Sequence, residues 1–387
     1  MLHFDVNALE PGIRLTEISQ VPIPYKRPRI AGKNARLDTH GWGGEVPIAR
    51  IKAGGIEGFG WCPLPRHQAD RFLGVSLSAM FKEDGMLRNE YKPLEFALLD
   101  WLGNWLHKPV YELAALNPDK IKNGFSAPCY DTTIYFDELY IKDDKAAVNF
   151  ILDEVKQGLA RNFRNFKIKI GRCGMWMELH EGLRRDIDIV NGIRGLAGKD
   201  AKLMVDANNG YNLNIAKEFL LATKEANVYW LEEAFHEDSS LYSNLKTWMK
   251  GNGINTLIAD GEGDASPRLI DWAKKGLIDV VQYDLRGYGF FNWMELSKEL
   301  APYKTLCAAH NYGGFYGNYA QGHFAACTDY FAFCEFDIAE AEGIDTSLYS
   351  ISKNGDLLVP KADGFGLVLD KNIFEKYRDE KGYKITL

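Results

Sequence analysis

Residues 166–170 read Phe-Lys-Ile-Lys-Ile, apolar and basic by turns. Side chains alternate faces along a strand, so Phe166, Ile168 and Ile170 share one face and Lys167 and Lys169 the other. The apolar face has to pack on something, which leaves the two lysines looking into a space that stays polar. Comparable short runs centre on 129–134, 203–206, 229–232, 257–260, 280–284, 305–309 and 331–336. Helical spacing separates them, as over 213–224, 241–250, 267–275 and 292–300. Eight strands alternating with crossover helices predict an α/β fold with a parallel TIM-type barrel.

The pattern upstream is different. Residues 13–23 and 46–62 read as strands, the second closing on a glycine turn at Gly54-Gly55. Between them, 22–42 is rich in Pro, Gly, Arg and Lys and predicts a long mobile loop, with a second loop over 63–67. These two loops are expected to close over the barrel mouth when substrate binds. Pro93 sits where proline opens a helix. Leu94, Ala97, Leu98, Trp101, Leu102, Trp105 and Leu106 then follow helical spacing and make one apolar face. The expected organisation is an α+β capping domain over 1–125, a catalytic barrel over 126–337 and an irregular tail, 338–387, returning to the cap.

A length of 387 residues, 46% of them hydrophobic, suits one large barrel with an addition. The net charge of -7 and the lack of a basic run argue against nucleic acid as a partner. The six cysteines show no CxxC spacing and fit reduced thiols better than a disulfide framework. Neither a signal-like start nor a membrane-spanning stretch is legible, so the expected location is cytoplasmic, with no membrane partner.

Barrel enzymes build their sites at the C-terminal ends of the strands. Those ends read, in order, Lys167 and Lys169, Asp206 and Asn208, Glu232, Glu262, Asp284, His310 and Glu335. One acid at a strand end is ordinarily a loop cap. A ring of them converging on one mouth repels itself unless a cation or proton lies between. Asp206, Glu232 and Glu262 are the natural ligands of a hard divalent ion such as magnesium. Asp260 and Asp264 share the parity of Glu262, and Glu233 falls on the opposite strand face from Glu232. The absence of a Cys/His cluster argues against zinc. His310, with Asp284 on the preceding strand to hold its tautomer, offers one base. Lys169, across the mouth, offers a second, provided a neighbouring cation lowers its pKa.

These residues, in this order, resemble the enolase superfamily, and within it the mandelate racemase and muconate lactonizing enzyme-like branch. Lys167-Ile168-Lys169 resembles its KxK motif. Asp206, Glu232 and Asp260-Gly261-Glu262 resemble its metal-ligand strands, and Gln282-Tyr283-Asp284 with His310 its Asp–His dyad. The helix over 94–103 with 108–113 is similar to the family's capping helix. The resemblance implies a modified (β/α)7β barrel with a capping domain. It also implies a bound Mg2+ and removal of the proton next to a substrate carboxylate by Lys169 or His310, through an enediolate. Lys167 would neutralise that carboxylate and Glu335 would hydrogen-bond it. The chain departs from the family pattern at Ala234, around Gly60-Trp61-Cys62, around Gly287-Tyr288-Gly289, over 173–177 and over 311–317, where substrate loops lie. Asn208, Arg29 and Trp61 are candidate substrate contacts, together with His40, Trp42 and the loop 312–316. The expected activity is a lyase one, dehydration of an acid sugar. An isomerase (racemase, epimerase or cycloisomerase) or a non-catalytic ligand-binding barrel are the alternatives. The expected partner is a small sugar-acid carboxylate and the expected assembly a homo-oligomer.

Overall fold

The computed structural model describes residues 2–387. Three antiparallel strands open the chain: β1 (Leu15–Ala31), β2 (Gly41–Ala53) and β3 (Ile56–Trp61). Two short pieces from the end of the chain pair with β1, Tyr383–Thr386 against residues 17–20 and Glu340–Ala341 against 25–26. The loop expected over 22–42 is therefore strand as far as Ala31, and only residues 32–40 connect it to β2. Its prolines permit this. Thr16 and Pro24 accept hydrogen bonds from Leu387 and Glu342, so even-numbered positions of β1 turn their backbone toward the tail. Pro22 faces the gap between the two tail pieces and costs no ladder bond, whereas Pro24, opposite Glu342, keeps only the bond that its carbonyl accepts. The apolar stripe on 94–106 becomes the helix Glu95–Leu106. Pro93 lies in the 3-10 turn before it, one step earlier than expected. The tail is also less irregular than expected, since it carries the helix Lys371–Lys381.

Eight parallel strands follow: β4 (Phe125–Ile134), β5 (Phe166–Lys169), β6 (Leu203–Asp206), β7 (Trp230–Glu232), β8 (Leu257–Asp260), β9 (Val280–Val281), β10 (Leu306–Cys307) and β11 (Cys334–Phe336). Each of β4 to β9 pairs with its successor, and β11 pairs with β4. The remaining seam, between β10 and β11, is joined at the Cys307–Phe331 bridge, where the Cys307 amide donates to the Tyr330 carbonyl at 2.8 Å. A helix lies in each of the seven crossovers, the (β/α)7β pattern.

The outward faces of the strands, such as Ile168, Val205, Leu231 and Val281, join the large core beneath the helices. Inside the barrel is a separate apolar plug that includes Tyr130, Met204, Trp230, Ala259, Val280, Ala308 and Phe333. The plug sets the level of the site. With side chains alternating, the residue two places beyond a plug residue points inward again, one layer higher. From Tyr130, Met204, Trp230, Ala308 and Phe333 that step reaches Thr132, Asp206, Glu232, His310 and Glu335; from Val280 it reaches Gln282 and then Asp284. The polar ring of the sequence is the layer on top of the plug.

Candidate active site

Lys167 and Lys169 are both buried in β5 and face inward. The Lys167 ammonium lies 2.7 Å from Glu232 Oε1 and 2.7 Å from Glu335 Oε1, with Asp206 Oδ2 at 3.6 Å. Glu335 is engaged on both oxygens. Oε1 also accepts from Thr132 Oγ1 at 2.6 Å, and Oε2 accepts from the Asn311 amide at 2.7 Å. Burial works against its charge, but Lys167 outweighs burial and holds the carboxyl down at about 2. Lys169 donates to Asp206. The depressed lysine expected of a base is not what these side chains produce by themselves. Burial pulls Lys169 down, yet the Asp206 carboxylate outweighs it and the net shift is upward.

On the other side, the backbones of Asp284 and His310 form a parallel bridge, with the Leu285 amide donating to the His310 carbonyl at 3.0 Å. This sets His310 Nδ1 3.3 Å from Asp284 Oδ2 and Nε2 3.2 Å from Glu262 Oε2. Burial lowers the imidazole pKa, but Glu262, Glu335 and Asp284 together lift it to about 9. Asp284 is held down by His310 and Arg286 against the effect of burial.

Asp206, Glu232 and Glu262 each offer one oxygen, and these lie within 4.8 Å of one another. Strand parity alone left Asp260 as a rival. Asp260 instead accepts from Tyr242 and from the Gly261 amide. Gly261, at φ 126°, breaks the alternation and lets Glu262 turn back over the mouth. Glu233 was placed on the wrong face by the same reasoning. Its φ of 43° ends the strand, and its carboxylate accepts from Asn208 Nδ2 at 2.9 Å and Asn209 Nδ2 at 3.2 Å. Asn208 also donates to Glu262 Oε1 at 3.1 Å.

Two observations test whether this donor set fits a divalent ion. Asn208 Oδ1 is buried with no hydrogen bond to it, and Glu262 Oε2 has only the His310 ring nitrogen 3.2 Å away, although buried polar atoms are ordinarily satisfied. Glu232 is pushed up to about 8 and Glu233 to about 10, chiefly by burial. Asp206 and Glu262 add to both shifts, while Lys167 opposes the one on Glu232. Mutually repelling carboxylates with unspent oxygens suit a hard cation with oxygen ligands.

Gln282 was not singled out by the sequence reading. It is wholly buried and donates to Glu232 Oε2 at 2.8 Å, alongside Trp230 Nε1 at 3.0 Å. Its place two residues before Asp284 was the available signal. Tyr135 was missed as well, and its ring lies 5.6 Å from the Lys169 nitrogen.

The proposed substrate contacts divide. Trp61 lies near the dyad, its ring 5.8 Å from the Arg286 guanidinium. Asn208 belongs to the carboxylate cluster. Arg29 is a correction. Its guanidinium donates to the Thr133 carbonyl and hydroxyl at 2.6 and 2.9 Å and pairs with Glu154 at 3.2 Å. Thr133 is on the outer face of β4 and Glu154 on the helix Asp144–Ala160 outside it, so Arg29 is turned to the wall and not to the mouth. Trp42 is largely exposed beside Lys26. The loop expected over 312–316 ends early: Tyr316 is buried in the helix Phe315–Phe324 and donates to the Phe59 carbonyl at 3.3 Å. Beside the cluster, a cleft of about 360 Å³ is lined by Asn34 and Arg36 on one side and by Asn208, Glu233 and Glu262 on the other.

Residues 151–373 match the enolase C-terminal domain-like family. The arabinonate dehydratase of Saccharolobus solfataricus is 26% identical over 293 residues, covering 74% of this chain and 71% of that protein. A mutant galacturonate dehydratase from a Geobacillus species, solved in complex with Mg, is 42% identical over the full length of both chains, with a TM-score of 0.97. Another structure of galacturonate dehydratase from a Geobacillus species holds D-galacturonate and 5-keto-4-deoxy-D-galacturonate. It is 44% identical, with a TM-score of 0.93, over 97% of this chain and 99% of that one. The family match spans well over half the sequence and takes in every strand end from Lys167 to Glu335, so this chain belongs to the enolase superfamily, in its enolase C-terminal domain-like family.

Proposed function

We propose that the protein is a Mg2+-dependent dehydratase of acid sugars, acting on a hexuronate such as D-galacturonate or on a related sugar acid. The observation that carries this reading is the placement of Lys169 and His310 on β5 and beyond β10, on either side of the carboxylate cluster. Full-length similarity to a galacturonate dehydratase supports the choice of substrate class. Asp206, Glu232 and Glu262 would hold the ion. Bound there, it supplies positive charge to a substrate carboxylate whose own charge grows as the adjacent proton leaves.

The chain's own groups do the rest. Asp206, which keeps Lys169 protonated, is also a candidate ligand, and sharing its charge loosens its hold on the ammonium. Once neutral, with its own proton given up to water, Lys169 Nζ takes the proton from the carbon next to the carboxylate. His310, with Nδ1 held by Asp284, carries a proton at Nε2 for the hydroxyl on the following carbon, which departs as water. The resulting enol becomes a keto acid, so substrate equals product plus one water. Lys167 and Glu335, fully engaged with each other, keep the floor of the site charged and rigid.

In this reading residues 1–125 and 338–387 form the cap and 126–337 the catalytic barrel, which the pairing of 383–386 with β1 supports. A homo-oligomer and a cytoplasmic setting belong to the same proposal. Six free cysteines support the setting, as does the lack, among the described residues, of any helix long and apolar enough to cross a membrane.

The test is a panel of D-galacturonate, D-gluconate and D-arabinonate with Mg2+, read by semicarbazide trapping of keto acids. A semicarbazone with at least one of them is the expected result. Exchange of the proton next to the carboxylate without any keto acid would move the assignment to an isomerase. Neither exchange nor keto acid from any acid sugar would remove it.

A further inference from the structure

His40 closes the connection between β1 and β2, and its side chain is held from three directions. Nδ1 is 2.6 Å from the Gly32 carbonyl oxygen. The ring packs between Tyr135 and Tyr312, at 5.1 and 4.9 Å between centroids. Tyr135 in turn lies over Lys169. The Gly32 carbonyl is itself fixed. A Cβ on Gly32 would stand 2.0 Å from Asp137 Oδ1, so a larger residue here would have to displace that carboxylate. The next residue, Lys33, accepts from the Phe136 amide at 2.9 Å.

A carbonyl oxygen only accepts, so Nδ1 must carry the hydrogen. In a neutral imidazole Nε2 is then left as a bare acceptor. Burial keeps the ring neutral, against the pull of the Gly32 carbonyl and with help from the charges of Lys169 and Arg27. No described protein group meets Nε2. Arg27, close by, is no rival for a ligand, because it is spent on Asp337 in two hydrogen bonds of 2.9 and 2.6 Å.

We propose that His40 Nε2 accepts a hydrogen bond from a hydroxyl of the substrate on the Lys169 side of the site, which makes His40 a specificity-determining residue. This rests on the acid-sugar reading above. A polyol acid has donors to offer at such a position, and an acceptor-only nitrogen selects a hydroxyl over a second carboxylate or a keto oxygen. A bond to a hydroxyl that takes no part in the reaction contributes equally to bound substrate and transition state and shows in KM.

The experiment has two parts. Long-range 1H–15N spectra of histidine-labelled protein at pH 7, with the resonance assigned by its loss in His40→Phe, should show His40 neutral with the hydrogen on Nδ1. In kinetics on the acid sugar that wild type turns over best, His40→Phe should raise KM about tenfold and leave kcat within about threefold, the scale of one lost hydrogen bond. His40→Gln, whose amide oxygen can accept, should recover most of that loss. A hydrogen on Nε2, an imidazolium at pH 7, or a His40→Phe enzyme with wild-type KM would overturn the assignment of His40 alone. A wild type that dehydrates no acid sugar would overturn the functional reading on which it rests.

Discussion

Two buried charge clusters meet at the end of β5, and they are built to opposite rules. Behind the barrel wall, Arg172 donates to both oxygens of Glu138 at 2.7 and 3.0 Å, to Asp186 at 2.7 Å and to the Lys169 carbonyl at 3.2 Å. Asp186 also accepts from the Gly171 amide and from Tyr211, each at 2.8 Å, and Arg185 pairs with Asp144 at 2.5 Å. Arg184 also pairs with Asp144, at 2.7 Å, so three acids meet three bases there, and none of these side chains appears among the buried atoms lacking a partner. Inside the barrel, three residues back along the chain, Lys167, Lys169 and His310 face Asp206, Glu232, Glu233, Glu262, Asp284 and Glu335. Acids outnumber bases, Asn208 Oδ1 has no partner and two carboxyls are driven far above their ordinary range. The Arg172 cluster is matched in charge and fixes where Lys169 stands. The mouth is mismatched, in the sense that a divalent cation would correct.

The comparison breaks most visibly at the mouth. Removing a positioned acid or base costs about 10²–10⁴-fold in rate, so Lys169→Ala and His310→Asn should each lose turnover by that factor while still binding Mg2+ in a calorimetric titration. Near wild-type turnover by both would end the two-base mechanism. At the wall the same kind of truncation should appear as stability. Breaking a buried ion pair from one side costs about 3–5 kcal/mol, so Arg172→Met should lower the unfolding free energy in urea by that amount. Arg29→Met, by removing the cation beside the buried Asp131 and Glu154, should also destabilise the protein while KM stays at the wild-type value. A raised KM in a folded Arg29→Met enzyme would return Arg29 to the substrate site.

Where the sequence reading failed at the site, it failed at this boundary between wall and mouth. The inward ring from Lys167 to Glu335 was legible because alternation carries each residue from the apolar plug to the layer above it. It failed for Glu233 and left Glu262 ambiguous because both lie past the strand, where φ values of 43° at Glu233 and 126° at Gly261 cancel parity. Arg29 was misread for another reason. A basic residue in a Pro-rich segment looks like part of a lid, and only its contacts with Thr133 and Glu154 show that its side chain turns to the outer helix. The strand content of 22–31 was hidden because proline is a poor strand former except where one edge is open. Gln282 carried a usable signal, its spacing from Asp284, but an uncharged side chain drew no notice beside so many acids.

A smaller effect follows from the titrations at the mouth. With the protein's own charges, Glu232 rises from 4.5 to about 8 and His310 from 6.5 to about 9. Each keeps a proton when folded that it has lost when unfolded, so each makes stability fall as pH rises between its two values. Glu335, lowered to about 2, acts in the other direction and only in acid. EDTA-treated protein should therefore melt at progressively lower temperature from pH 5 to pH 9. Mg2+ should flatten the slope, because ligation releases the proton on Glu232. A melting temperature that rises over that range would show that the mismatch is not there.

The central claim is that the acid excess at the mouth exists to hold a divalent cation, and that proton removal depends on it. The most direct measurement is exchange of the proton next to the carboxylate for solvent deuterium in an acid sugar that the enzyme dehydrates. It should be followed by NMR before and after exhaustive EDTA treatment and again on titrating Mg2+ back. The predicted result is no exchange in stripped enzyme and full recovery at one Mg2+ per chain. Undiminished exchange after stripping would contradict the account.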